Sequence, residues 1–474
     1  MATRSRTELR FVQYYLDCLS QASYLVGDEG TGRAVVVDPR RDVQIYLADA
    51  DAHGLRIERV IETHIHADFL SGHLELAAKT GAAVSYGEGG DVDFPIEPLR
   101  DGEQLHLGDV TLEVLATPGH TPESISVVVR ERPDDAVPYG VLTGDTMFIG
   151  DVGRPDLLSG SGVAPDELAR RLYRSLHEKL LALPDPTRVF PAHGAGSACG
   201  KNLSTETQST IGEQRRTNYA LQPMSEAEFV GLVTEGQPLQ PTYFSYDAQR
   251  NRQAHVLLDE AELPAPLTLV ELVARRDAGT AVLDTRDPLD FAAGHLRGSV
   301  NVGLHGRFAE FGGDVLAPDR PIVLVSEPGT ELEAKVRLSR IGFDRIEGAL
   351  ADPVRALLEH PEVVEPSSRL TVAELDDRDG EMDALQIVDV RNPGETAPGV
   401  IPDAVTLPLP QLTARMSELD PARPTVVYCA SGYRSSIGAS VLAAAGFDDV
   451  SDLLGGYEAW KAQHNPGREK EPTA

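Results

Sequence analysis

The second half of the chain repeats itself. AVLDTRDPLDFAAGHLRGSVNVGL (281–304) aligns with QIVDVRNPGETAPGVIPDAVTLPL (386–409), and Asp284 matches Asp389 at an offset of 105. RPIVLVSEPGTELEA (320–334) aligns with RPTVVYCASGYRSSI (423–437) at an offset of 103. IGFDRIEG and AGFDDVSD close the two copies. Units of roughly 100 residues are much longer than the repeats of a solenoid, so two duplicated globular domains are expected.

The 474 residues suggest three domains at roughly 150 residues each. Up to about residue 215, strand-like runs (YLVG, RAVVVD, RVIETHIH, TLEVLAT, SISVVV, GVLTGD) alternate with helical stretches such as HLELAAKTG and DELARRLYRSLHEKLLAL. That mixture predicts an α/β domain. Residues 236–266, rich in Pro, Gln and Asn, read as an irregular linker. The net charge of -31 repels nucleic-acid phosphates and anionic lipids, which argues against both as partners. No apolar run approaches the ~18 residues that suggest a membrane span. MATRSRTELRF lacks the apolar stretch of a secretory signal, so a cytoplasmic location is expected. Three cysteines in separate regions cannot make a disulfide framework, and each thiol has to be judged alone.

The chemistry-bearing residues of the first domain lie in loops after strand-like runs. THIHADFLSGH supplies His64, His66 and Asp68, with His64 and His66 on one side of an extended backbone. His120 (TPGHTPES), Asp145 (LTGDTMF) and His193 (FPAHG) lie in three further loops, whose strand ends could converge on one cleft. Any one of these histidines alone would more often be a capping or packing residue, but the ordered set points to a metal site.

These motifs resemble the metallo-β-lactamase superfamily. The resemblance implies a β sandwich flanked by helices (αββα), with the site at one edge. Dinuclear members place an Asp-His pair after HxH, whereas here the pair reads Asp68–Phe69. Phe69 offers no lone pair, so one metal is expected. TPGHTPES, GRPD and PAHGAGSACGK resemble the persulfide dioxygenases, whose iron ligands correspond by position to His64, His120 and Asp145. Two imidazoles and a carboxylate on one face suit non-haem Fe(II), one per chain, with zinc as the alternative. His66, Asp68 and His193 are then supporting residues. The resemblance implies a thiol persulfide and O2 as substrates, with Arg154 on the anionic part of the thiol; a surface ion pair is the alternative for this arginine. Cys199 lies two residues before Lys201, a cation that would favour its thiolate for binding or relaying sulfur, while a free structural cysteine is the more common case.

In TVVYCASGYRSSIGASVLAAAG, a strand, a short loop and an Ala-rich helix follow one another. Cys429 opens the loop, Ala430, Ser431, Gly432 and Tyr433 form its cradle, and Arg434 nearly closes it. Amides curled around a sulfur and a helix N-terminus aimed at it stabilise a thiolate or persulfide. With DVR (389–391) upstream and LLGGYEAW downstream, the module resembles a rhodanese sulfurtransferase handling sulfite and thiosulfate, with Cys429 and Arg434 catalytic. In the first copy Ser326 and Glu331 replace this pair, so that copy is expected to be inactive. The expected architecture is α/β multidomain: residues 1–250 as the metallo-β-lactamase-like αββα sandwich with its linker, 265–357 as an inactive rhodanese-like α/β domain, and 368–466 as an active one. The expected activity is oxidation of a thiol persulfide coupled to sulfur transfer, in a homo-oligomer. A zinc thioester hydrolase of glyoxalase II type and a non-catalytic sulfur carrier are the rivals.

Overall fold

The computed structural model describes residues 8–157, 163–378 and 385–464. The chain forms two compact units. One takes the chain up to Gln240 together with Phe244–Asp259 and Ser339–Gly342, and the other takes Pro241–Tyr243, Glu260–Leu338 and the chain from Phe343 onward. Among the described residues, no helix is long and apolar enough to cross a membrane.

In the first unit, Leu9–Leu16, Gln21–Asp28, Arg33–Val37, Arg56–Ile61 and Ala83–Ser85 form one sheet in that order. The second sheet runs Ser209–Thr210, Arg188–Pro191, Gly140–Gly144, Ile125–Arg130, Thr111–Ala116, Gln104–His106. Side chains alternate across each strand, so each sheet has two faces to cover. Tyr24, Val26, Val35 and Val37 of the first sheet pack against Leu112, Val127, Leu142 and Phe190 of the second, forming the sandwich core. On the outer faces, Leu25, Val36 and Val60 meet helix residues Tyr46, Ala50 and Leu76, while Val128, Val141 and Val189 meet Leu172, Leu176 and Phe229. This is the αββα order expected from the motifs. The stretch read as one long helix is a helix over Pro165–Arg174, a wider turn over Ser175–Lys179 and a tight turn over Leu180–Ala182.

The second unit holds the two copies. Their sheets are parallel and share one strand order: Pro266–Leu267, Ile346–Leu350, Ile322–Val325, Ala281–Asp284, Val300–Asn301 in the first, and Ser368–Leu370, Val450–Leu453, Thr425–Tyr428, Gln386–Asp389, Val405–Thr406 in the second. The aligned acid-arginine pairs fold alike. Arg286 donates to Asp284 and to the Gly294 carbonyl, and Arg391 donates to Asp389 and to the Gly399 carbonyl.

The region read as an irregular linker contains a helix, Phe244–Arg250, and a residue that the sandwich depends on. The amide of Asn251 accepts from Ser71 N (2.9 Å) and donates to the carbonyls of His66 (2.8 Å) and Phe69 (2.7 Å). It thereby satisfies three buried backbone groups of the THIHADFLSGH loop. Asn251→Ala should lower the stability of the first unit by about 2 kcal/mol, the cost of unpaired buried groups. An earlier first transition in thermal unfolding would register it, and an unchanged one would count against this bracing role.

Candidate metal centre and sulfur-binding loop

The six sandwich residues singled out in the sequence come together. Nε2 of His64 lies 3.9 Å from Oδ2 of Asp145, and Nε2 of His120 lies 3.5 Å from the same oxygen. Nε2 of His193 stands 3.2 Å from Oδ2 of Asp68 and 3.5 Å from Oδ1 of Asp145. All are buried, and His64 Nε2, His193 Nε2, Asp68 Oδ1 and both Asp145 oxygens have no hydrogen-bond partner within the protein. Buried polar atoms left so are costly unless something else, such as a cation, satisfies them. The donor set fits a divalent metal: His64, His120 and Asp145 offer three mutually close ligand atoms.

Backbone contacts aim these side chains. Nδ1 of His120 contacts the Arg154 carbonyl at 2.8 Å, which makes Nδ1 the protonated nitrogen and leaves Nε2 as the free lone pair. Gly153 lies so close to the site that a Cβ there would stand 1.9 Å from the Asp145 carbonyl, so the close approach requires glycine. Burial, reinforced by His66, His120 and His193, pushes His64 well below the ordinary imidazole range, keeping it neutral and able to ligate.

His66 behaves differently. Burial alone would lower it, but Asp38 (3.1 Å) and Glu62 (3.2 Å) outweigh burial and hold it well above the usual value. Its Nδ1 is buried with no hydrogen-bond partner within the protein, and its ring stands in a set of mutually close ligand atoms with Asp68 and His193. Glu62 also accepts from Ser71 (2.5 Å), and Asp38 accepts from Thr63 N (2.7 Å). Phe69 is buried with its ring 4.4 Å from that of His66. Phe69 supplies no donor, yet two further sets of mutually close ligand atoms border the first, His66 with Asp68 and His193, and Asp145 with His193 and Cys199.

Two of the residues read as substrate-binding have their side-chain charges engaged within the protein. The Arg154 guanidinium is not free for a substrate: it forks onto Asp156 (2.7 and 2.8 Å) and donates to the carbonyls of Ala198 (3.1 Å) and Pro238 (2.9 Å). Lys201 does not activate Cys199, because its ammonium is bound by the carbonyls of Leu232 (2.6 Å) and Glu235 (3.1 Å). Burial, then Asp68 and Asp145, push the Cys199 thiol well up instead. That disfavours the thiolate expected from its sequence neighbour.

In the last module Cys429 is buried at the end of Thr425–Tyr428, ahead of the helix Tyr433–Ala444. The Gly432 amide donates to its sulfur at 3.1 Å, and the Ser435 hydroxyl lies 3.6 Å away. Ala430 and Ser431 lie between Cys429 and Gly432, and Tyr433 opens the helix. Arg434 does not stand free over the sulfur, because both its terminal nitrogens lie 2.6 Å from the Glu395 carboxylate. In the first copy, the Thr285 hydroxyl donates to Ser326 (2.8 Å), and Glu331 opens the helix Glu331–Ser339.

Asp38, Glu62, Glu123, Asn251 and Glu395 were missed in the sequence. Glu123 sits inside TPGHTPES and accepts from Ile65 N (2.9 Å). Asp38 carried a signal, an acid directly after the buried run RAVVV, where an unpaired charge needs a partner.

A fold of this kind, with its motif loops gathered at the strand ends of a sandwich and a cysteine cradle on a separate parallel sheet, defines a metallo-β-lactamase-type domain joined to rhodanese-type modules. Two family models match accordingly: the Metallo-beta-lactamase superfamily over residues 16–193, and the Rhodanese-like domain over 268–349 and 371–463. The human mitochondrial persulfide dioxygenase ETHE1 is 32% identical over 219 residues, covering 44% of this chain and 75% of that protein. A hydroxyacylglutathione hydrolase of Methylococcus capsulatus is 38% identical over 176 residues, covering 36% of this chain and 60% of that protein. A crystal structure of a metallo-beta-lactamase from Staphylococcus aureus aligns with a TM-score of 0.65 at 34% identity, covering 72% of this chain and 98% of that one. The chain belongs to the metallo-beta-lactamase superfamily, as a fusion of a domain homologous to persulfide dioxygenases with two rhodanese-like domains.

Arg154→Lys keeps the charge but loses the fork that fixes the carbonyl behind His120. Metal retained per chain after dialysis against a chelator should fall about ten-fold. Full retention with only a raised KM would restore the substrate-binding role.

Proposed function

We propose that the first unit oxidises a low-molecular-weight thiol persulfide with O2, and that the last module transfers sulfane sulfur through Cys429. The observation that carries the first half is the convergence of buried, unpartnered donor atoms on His64 and Asp145 with the free nitrogen of His120, beside a histidine held protonated and a phenylalanine. The 32% identity to a persulfide dioxygenase supports the choice of substrate.

His64, His120 and Asp145 would hold one Fe(II), which supplies adjacent open positions for O2 and a sulfur anion. The overall change is R–S–SH + O2 + H2O → R–SH + H2SO3: the terminal sulfur is oxidised, O2 is reduced, and the S–S bond breaks. The chain's own residues set the conditions. Arg154's carbonyl fixes the His120 tautomer, Asp38 and Glu62 keep His66 protonated, and the buried Phe69 excludes water from one side. His193, hydrogen-bonded through Nδ1 to the Ser20 carbonyl (3.2 Å), presents Nε2 toward Asp68, where the pair can take a proton from the incoming water.

In the last module, the Cys429 thiolate attacks the outer sulfur of thiosulfate. The sulfur–sulfur bond of thiosulfate breaks, sulfite leaves, and a cysteine persulfide forms for transfer to an acceptor thiol. The Gly432 amide stabilises the sulfur anion before and after transfer. A bound dianion has to compete with Glu395 for Arg434.

A second reading, a zinc thioester hydrolase, draws on His66, Asp68 and His193 as a second donor set, and on the 38% identity to a hydroxyacylglutathione hydrolase. Oxygen uptake by the iron-loaded full chain with persulfides of glutathione, coenzyme A and cysteine separates the two. One O2 should be consumed for each sulfite formed, and Asp145→Ala should reduce uptake to background. Thioester cleavage without O2 uptake would overturn the dioxygenase reading. Cys429→Ser should abolish thiosulfate:thiol transfer, since a hydroxyl carries no sulfane sulfur, and retained transfer would refute the role of Cys429.

A further inference from the structure

The first rhodanese-like copy lacks the cysteine and the arginine, yet it touches the catalytic loop of the second. The Tyr433 phenol lies 2.7 Å from the Gly303 carbonyl and 3.0 Å from that of His305, and its single proton is shared between them. Its ring packs against Phe311, with centroids 5.5 Å apart and planes at 65°. Two helical turns along, the Ser440 hydroxyl accepts from Asn301 N at 2.9 Å. Tyr433 and Ser440 are seven residues apart, so they share one face of the helix Tyr433–Ala444, the face that meets the silent copy.

Tyr433 follows Gly432 directly, and Gly432 supplies the amide 3.1 Å from the Cys429 sulfur. Gly432 has a φ of +114°, a conformation that glycine enters freely but that no side chain of its own holds in place. The direction of its N–H therefore depends on what fixes the neighbouring residue. Part of that fixation is local, since the Ser435 hydroxyl (3.0 Å) and the Ser436 amide (3.4 Å) donate to the Gly432 carbonyl, and part comes from carbonyls and a ring more than 100 residues upstream in the sequence.

We propose that the silent rhodanese-like module forms part of the transferase site, anchoring Tyr433 as a positioning residue that keeps the Gly432 amide on the sulfur of Cys429. It is then a wall of the working site, which a spacer would not be. The proposal rests on the reading of Cys429 as the sulfur carrier.

Two full-length variants test it, Tyr433→Phe in the loop and Phe311→Ala in the silent module. Tyr433→Phe keeps the ring and loses only the phenol oxygen, so folding is preserved, and its melting temperature provides the check. The readouts are the pH profile of Cys429 alkylation, followed on its own peptide by mass spectrometry, and kcat and KM for thiosulfate:thiol transfer. Loss of one ordered hydrogen bond to the sulfur should slow alkylation at neutral pH about three- to ten-fold in both variants. The profile should move to higher pH, and kcat should fall with KM held. A Tyr433→Phe profile superimposable on wild type would overturn the proposal. If the wild-type chain transfers no sulfur from thiosulfate, the functional reading fails, while the alkylation profiles still decide whether the anchor acts on the sulfur.

Discussion

Buried donor atoms without partners are the constraint on which the first unit turns. Six such atoms, on His64, His66, Asp68, Asp145 and His193, lie in one region at the strand ends of the sandwich. Each would cost a few kcal/mol if nothing satisfied it, more than a marginally stable fold tolerates several times over. A divalent cation offsets that cost, and it would also counter the two carboxylates that push the Cys199 thiol up. The arrangement makes structural sense as the protein half of a metal centre.

The surrounding layer decides which donors are available. His64 is kept neutral by burial and by its histidine neighbours, whereas His66, two residues away, is kept protonated by Asp38 and Glu62. The two histidines of the HxH motif thus sit in different electrostatic surroundings, though the sequence writes both with the same letter. Arg154 shows the same division of labour: its carbonyl serves the site while its guanidinium serves the fold. In the last module, Glu395 occupies Arg434, and the amide of Gly432 is left as the recorded backbone contact to the sulfur.

Much of this was legible in the sequence because it is local. Alternating apolar runs gave the strands of the sandwich, the 105-residue offset gave two sheets of identical strand order, and the HxHxD, PGHTP, TGD and PAHG loops gave the converging donors. The parts that sequence reasoning missed depend on contacts distant in sequence. Asn251 looked like linker because its three hydrogen bonds reach back some 180 residues. Lys201 looked like an activator of Cys199 because two residues separate them, but its side chain turns toward Leu232 and Glu235. The tie from Tyr433 to Gly303 and His305 had no signal, since both acceptors are main-chain carbonyls and carry no side-chain identity.

The central claim is that one metal sits among His64, His120 and Asp145, with Phe69 denying a full second site. Anomalous diffraction at the iron absorption edge from crystals of iron-loaded full-length protein tests it most directly. A single peak bounded by His64, His120 and Asp145 is the predicted result. A second peak of similar height against Asp68 and His193 would contradict it.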